Sequence, residues 1–166
     1  GVILAGADKA KTPEMLAAFG RAIESLSGQY VTAEDVGMTD ADMAAISDET
    51  RHVAGLPVKD AGQAGGDPGP YTARGVYLGI KAAAKFRLGS DDMADVHVAI
   101  QGVGSVGGGV ARLLAADGTQ LTIADYDGAK AQRIADETGA TVAGLDEIMA
   151  VKADIFSPNA LGAILK

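Results

Sequence analysis

Two stretches of the chain carry residue types at spacings that could do chemistry. The first is Gly102-Val103-Gly104-Ser105-Val106-Gly107. It follows an apolar run that reads as a strand, Val96 to Gln101, and opens a run that reads as a helix, Ser105 to Asp117. In such a setting the first glycine permits a tight turn, the second lets a pyrophosphate approach the backbone, and the third lets helix and strand pack closely. The helix start offers free N–H groups and a partial positive charge to phosphates. Gly102, Gly104, Ser105, Val106 and Gly107 are therefore candidate cofactor-binding residues. About twenty positions on, Asp125 ends the next strand, where the ribose of a dinucleotide would lie. A carboxylate there accepts from both ribose hydroxyls and repels a 2′-phosphate, which favours NAD over NADP. Tyr126 and Asp127 add no cation for such a phosphate. The plainer alternative is a bare turn and a solvated strand end. Gly108 and Gly109 speak against it, since each costs on the order of 1 kcal/mol in a helix and a turn alone does not require them. The second stretch is Ala33-Glu34-Asp35, ahead of Gly37. On residue type alone, Asp35 reads as a turn carboxylate that caps nearby N–H groups.

The elements that must position these residues alternate along the second half of the chain. Strands are expected at Val96–Gln101, Gln120–Ala124, Thr141–Ala143 and Ala153–Phe156. Helices are expected at Ser105–Asp117, Ala129–Thr138 and Leu145–Val151. Such alternation with short turns implies an α/β fold with a Rossmann-like parallel sheet covered by helices. Ahead of it, Thr12 and Pro13 are a plausible N-cap and first residue of a helix whose apolar face is Met15, Leu16, Phe19, Ile23 and Leu26, with Gly28 stopping it. Val2–Leu4 reads as a strand, and Thr39 with Asp42 resembles a capping box. Residues 55 to 71 are rich in Gly and Pro, Gly62 among them, and form a connector. The expected division is thus 1–54, part of an α/β substrate domain, and 55–166, a nucleotide-binding domain incomplete at its C-terminal end. A helix over Ala73–Arg87 leads from the connector into the sheet.

Bulk properties exclude several function classes. The net charge of -8 opposes nucleic-acid binding, which needs a cationic face. No apolar run approaches the roughly 20 residues that span a bilayer, so no membrane partner is expected. With Cys 0 there are no disulfides or thiolate metal sites, which fits a cytoplasmic protein. His52 and His97 lie too far apart in sequence to suggest a metal site, and no metal is expected. His97 alternates within a strand and is expected to face solvent.

Several motifs, taken in order, carry a family resemblance. They are Thr32-Ala33-Glu34-Asp35-Val36-Gly37, Gly55, Pro70-Tyr71-Thr72-Ala73-Arg74-Gly75-Val76, Gln101 to Gly107, and Leu161-Gly162 after Pro158. Together they resemble the Glu/Leu/Phe/Val dehydrogenase family, its leucine dehydrogenase branch most, along essentially the whole chain. The resemblance implies NAD-dependent oxidative deamination of an L-amino acid to a 2-oxo acid and ammonia, by a two-domain homo-oligomer. It implies that Asp35 moves protons at the amine and carbinolamine stages, which is chemically sensible because hydride leaves the α-carbon only from a neutral amine. It implies that Thr72 binds the nicotinamide carboxamide, with helix N-cap as the alternative, and that Ala33 lies near the substrate side chain. A small residue there leaves room for a branched aliphatic group. Asn159 and Ala160 match a stretch beside the nicotinamide, where leucine- and phenylalanine-type members commonly carry cysteine before the alanine. Met38 departs from a frequent threonine.

The resemblance also places a catalytic lysine, in a Gly-Gly-Gly-Lys motif, immediately before Gly1. The chain is therefore expected to be a fragment that does not turn over alone. Lys9, Lys11, Lys59, Lys81 and Lys85 lack that glycine-rich setting and are expected to be solvated surface residues. The alternatives to a leucine-type enzyme are a phenylalanine-type dehydrogenase and a non-catalytic NAD-binding module.

Overall fold

A computed structural model describes residues 1–4, 10–58 and 65–162; the expectations for Lys9, Lys59 and Gly62 lie outside the described residues. Packing divides the chain into two compact units, Gly1–Pro68 and Gly69–Lys166. Composition places the change at 54/55, where the connector begins. The connector's end folds back, because the Gly66 N–H donates to the carbonyls of Gly55 at 3.0 Å and Leu56 at 3.1 Å.

In the first unit, α1 (Pro13–Ser25) begins where the Thr12 hydroxyl accepts the Met15 N–H. A proline at the first helical position sacrifices no intrahelical bond there. α2 (Asp40–Ser47) begins with a full capping box between Thr39 and Asp42. The two helices share a core of Leu16, Met43 and Ile46, with Phe19 and Met38 packed against it. Two short parallel strands, β1 (Thr32–Ala33) and β2 (Val53–Ala54), complete the unit. Val2–Leu4, expected as a strand, pairs with no strand among the described residues. Val2 and Leu4 are exposed, while Ile3 packs against the core of the first unit.

The second unit opens with α3 (Gly69–Leu88), which starts four residues earlier than its apolar spacing suggests. Pro70 explains the early start, since its fixed φ suits a first turn and its missing N–H has no partner to lose there. The sheet that follows contains β3 (His97–Gln101), β4 (Gln120–Ala124), β5 (Thr141–Val142) and β6 (Ile155–Pro158). All are parallel, in the order β5-β4-β3-β6. α4 (Ser105–Ala116) joins β3 to β4, and α5 (Gly128–Thr138) joins β4 to β5. The helix expected over Leu145–Val151 shrinks to a single 3-10 turn, Ile148–Ala150, which anchors the buried Ile148 beneath the sheet. β3 is central and buried along Val98–Gln101, as expected of a strand covered on both faces. His97, expected to face solvent, is held instead between Thr122 Oγ1 at 2.8 Å and the Lys152 carbonyl at 3.1 Å.

The order of the sheet reverses at β3, which pairs with β4 on one side and β6 on the other. In open parallel sheets, ligands bind beyond the carboxyl ends of the strands at such a reversal. Here those ends are Gln101-Gly102 and Pro158-Asn159.

Candidate functional site

The loop after β3 is shaped by backbone contacts that only glycine tolerates. Gly102 has φ +88, and a Cβ there would stand 2.6 Å from the Ala160 backbone nitrogen. At Gly107 a Cβ would meet the Gly102 carbonyl oxygen at 1.9 Å. These two glycines bring β3, α4 and the segment after β6 together. Gly109 does the same between α3 and α4, where a Cβ would lie 2.7 Å from that of Ala73. Gly104 is different. It is the N-cap of α4, no side chain caps that helix start, and a Cβ there would meet nothing within 4 Å. Packing therefore explains Gly102 and Gly107 but not Gly104. An open space in front of an uncapped helix start is what a phosphate group needs.

A concavity of about 640 Å³ lies at this reversal point, with Gly102, Gly104, Asp125, Asn159 and Ala160 in its lining. Asp125 accepts the Val103 N–H on Oδ2 at 2.8 Å and the Asp127 N–H on Oδ1 at 3.0 Å. It thus ties the glycine loop to the end of β4, and each carboxylate oxygen keeps a lone pair for a hydroxyl. Gln101 also lines this site, and its side-chain oxygen is buried with no hydrogen-bond partner among the described residues. Leu145, Met149 and Leu161 give it an apolar wall. An adjoining hollow of about 480 Å³ is lined by Gly104, Ser105, Arg112, Lys130 and Arg133, among others. Arg112 is held by Glu137, with 2.6 Å between its Nη2 and Glu137 Oε2. Lys130 borders both hollows and stands 5.7 Å from the centre of the Tyr126 ring. A cation therefore does lie near Asp125. It escapes a sequence search that stops at Asp127.

The first unit has its own cavity, of about 550 Å³. Ala33 and Asp35 both line it, over a floor of Phe19, Met38, Met43 and Ile46. Asp35 opens a turn closed by the Met38 N–H donating to the Asp35 carbonyl at 3.0 Å, with Gly37 at φ +83. Its carboxylate accepts the Val36 N–H at 2.8 Å and is exposed. Glu34 beside it behaves otherwise. Burial, then the neighbouring Asp40, Asp67 and Asp42 charges, hold its carboxyl above the usual range, and its Oε2 has no partner among the described residues.

Leucine dehydrogenase of Bacillus subtilis is 43% identical over 164 residues, spanning 99% of this chain and 44% of that relative. The chain is homologous to the Glu/Leu/Phe/Val dehydrogenases. L-tryptophan dehydrogenase of Nostoc punctiforme is also 43% identical, over 99% of this chain and 45% of its own length. A crystal structure of that Nostoc enzyme superposes with a TM-score of 0.67 at 39% identity, covering 95% of this chain and 43% of the other. The chain thus spans less than half the length of the relatives it matches. No family model matches it.

The structure groups the residues singled out from sequence into two sets, one per unit. Ala33 and Asp35 share the first unit's cavity. Gly102, Gly104, Asp125, Asn159 and Ala160 share the larger concavity of the second, and Ser105 joins Gly104 on its neighbour. Three others stand apart. Gly107 acts in packing, and Val106 is half-buried against the core. Thr72 lies within the first turn of α3 rather than capping it, because the helix already starts at Gly69. The Asn159 amide turns back to donate to Ser157 O at 3.0 Å and Oγ at 2.9 Å. Sequence reasoning missed Lys11, which is not a solvated surface residue: it lines the first cavity and pairs with Asp42. Lys81 is likewise held, by Asp117 at 2.8 Å. Each has an acidic partner far along the chain, so no local spacing reveals it.

Proposed function

We propose that the chain belongs to an NAD-dependent L-amino acid dehydrogenase that converts an L-amino acid to a 2-oxo acid and ammonia, with leucine or another branched-chain substrate favoured. The first unit is then part of the substrate domain and the second is the nucleotide-binding domain. The observation that carries the substrate assignment is the cavity on which Asp35 and Ala33 meet over an apolar floor. Asp35 offers an exposed carboxylate to take the proton from the substrate ammonium, and Ala33 leaves space for a branched side chain. Lys11, the only lysine or arginine that lines the cavity among the described residues, is paired with Asp42.

When bound, NAD supplies the acceptor for the hydride leaving the α-carbon. The residues present fit it. Gly104, Ser105 and the uncapped start of α4 would hold the pyrophosphate, and Asp125 would hold the ribose hydroxyls. Gly102, Asn159 and Ala160 would border the nicotinamide end, Thr72 would bind its carboxamide, and Val106 and Gly107 would complete the glycine-rich loop. The same proposal includes a cytoplasmic homo-oligomer. No helix among the described residues is long and apolar enough to cross a membrane.

Equal identity to leucine and tryptophan dehydrogenases keeps an aromatic substrate as the second reading. The test is NADH formation by the full-length protein, followed by near-ultraviolet absorbance, with L-leucine, L-valine, L-phenylalanine, L-tryptophan and L-glutamate in turn. Higher kcat/KM for leucine or valine is expected. Preference for an aromatic substrate would move the assignment to the second reading, and no NADH with any amino acid would reject both.

A further inference from the structure

Lys11 precedes the N-cap of α1, yet it reaches across the first unit to the turn that carries Asp35. Its Nζ donates to the Gly37 carbonyl at 2.5 Å and to Asp42 Oδ2. The side chain is 25% exposed and that of Asp42 only 14%, so the pair is shielded from water more than an ordinary surface bridge. The same Asp42 oxygen accepts the Thr39 N–H at 2.9 Å and the Thr39 hydroxyl at 2.8 Å. Burial pushes the Asp42 carboxyl up, but the bonds from Lys11 and Thr39 outweigh it and hold the group below its usual value. One ammonium therefore joins the start of α1, the start of α2 and the Asp35–Met38 turn.

Gly37 is the third residue of that turn and adopts φ +83. The Asp35 carboxylate is bonded to the adjacent Val36 N–H, a contact that moves with the turn and cannot fix it against the cavity. The restraint comes from outside, through the Gly37 carbonyl. Both Lys11 and Asp35 line the same cavity. We propose that Lys11 is a positioning residue, which holds the Asp35 turn at the cavity wall by clamping the Gly37 carbonyl to Asp42. This rests on the dehydrogenase function proposed above, in which Asp35 is the proton-transfer group. Lys11 acts through Asp35 and not as a substrate cation, because its charge is matched by Asp42.

The experiment compares Lys11→Met, Lys11→Arg, Asp42→Asn and Asp35→Ala in the full-length protein. It measures kcat, KM for amino acid and NAD, and hydrogen exchange over residues 34–39. A misplacement of about 1 Å can cost on the order of 100-fold in rate, so Lys11→Met is expected to lower kcat by about 10- to 100-fold. KM for NAD should stay unchanged, exchange at the Met38 amide should quicken, and Lys11→Arg should recover most of the rate. If Asp35→Ala abolishes turnover while Lys11→Met stays within about twofold of wild type, the positioning role is overturned and the proposed function stands. A loss that Lys11→Arg does not relieve overturns it too. If Asp35→Ala turns over normally, the proposed role of Asp35 fails and the positioning role fails with it. Should Lys11→Met not fold, Asp42→Asn decides: its amide oxygen still accepts from Thr39, but the ion pair is gone. A fall in kcat with unchanged KM for NAD is then expected, and wild-type kcat would overturn the proposal.

Discussion

Substituting alanine separately at Gly102, Gly104 and Gly107 should separate folding from cofactor binding. At Gly107 the new methyl would have to displace a backbone carbonyl that lies 1.9 Å away, and no flexible side chain can yield. Overpacking typically costs about 1 to 3 kcal/mol, and a clash with rigid backbone belongs at the top of that range. At Gly102 a comparable clash, 2.6 Å from the Ala160 nitrogen, adds to the roughly 1 to 2 kcal/mol penalty of positive φ for a non-glycine residue. Gly104 has φ -69 and open space, so alanine fits. Its loss of N-cap preference, about 0.5 to 1 kcal/mol, is offset by a similar gain from restricting the unfolded chain. Gly104→Ala should therefore melt within a few degrees of wild type. If a pyrophosphate sits against that backbone, the methyl will weaken NADH binding by at least about tenfold, or roughly 1.4 kcal/mol. Thermal unfolding and NADH fluorescence titration on the same samples read the two effects. Wild-type NADH affinity in Gly104→Ala would refute the placement of the phosphates, and a wild-type Tm in Gly107→Ala would refute the packing argument.

Other perturbations probe single contacts. Glu34→Gln should raise the Tm at pH 7 and leave it unchanged near pH 4. The raised carboxyl favours the protonated form in the fold, so its contribution is fully present below the ordinary glutamate pKa and is lost as pH rises through the folded value; equal Tm at pH 7 would contradict this. Tyr77→Phe removes a hydroxyl that donates to Asp117 at 2.6 Å and should cost about 1.5 kcal/mol by chemical denaturation. Lys81 and Tyr77 hold Asp117 below its usual value, so Asp117→Asn should destabilise at neutral pH, with the difference vanishing as pH falls through the folded pKa. Gly109→Ala should loosen the contact of α4 with Ala73 and cost about 1 to 3 kcal/mol, with NADH affinity retained once folded.

Local sequence reveals those parts of the fold that local rules govern. Thr12-Pro13 and the Thr39–Asp42 box mark helix starts because caps act over three residues, and β4 falls at Gln120–Ala124 as its apolar run implies. Val2–Leu4 is apolar enough for a strand, but strand formation needs a pairing partner that no local pattern supplies. The segment 145–151 carries helical spacing, yet Ile148 is its only buried residue, so little tertiary packing holds it as more than one turn. At the candidate sites the glycine fingerprint is legible because backbone geometry demands it. The service of Lys11 to the Asp35 turn is not, because Lys11 and Asp42 meet only through the fold. His97 fails for the same reason, since its partners Thr122 and Lys152 come from other elements.

The most direct test of the central claim is turnover and NADH binding in Asp35→Ala full-length protein, side by side with wild type. Proton transfer by a positioned side chain contributes typically about 10²- to 10⁴-fold. A loss of that size in amino-acid-dependent NADH formation, with NADH affinity unchanged, is the expected result. Undiminished turnover would contradict the assignment of the chemistry to Asp35.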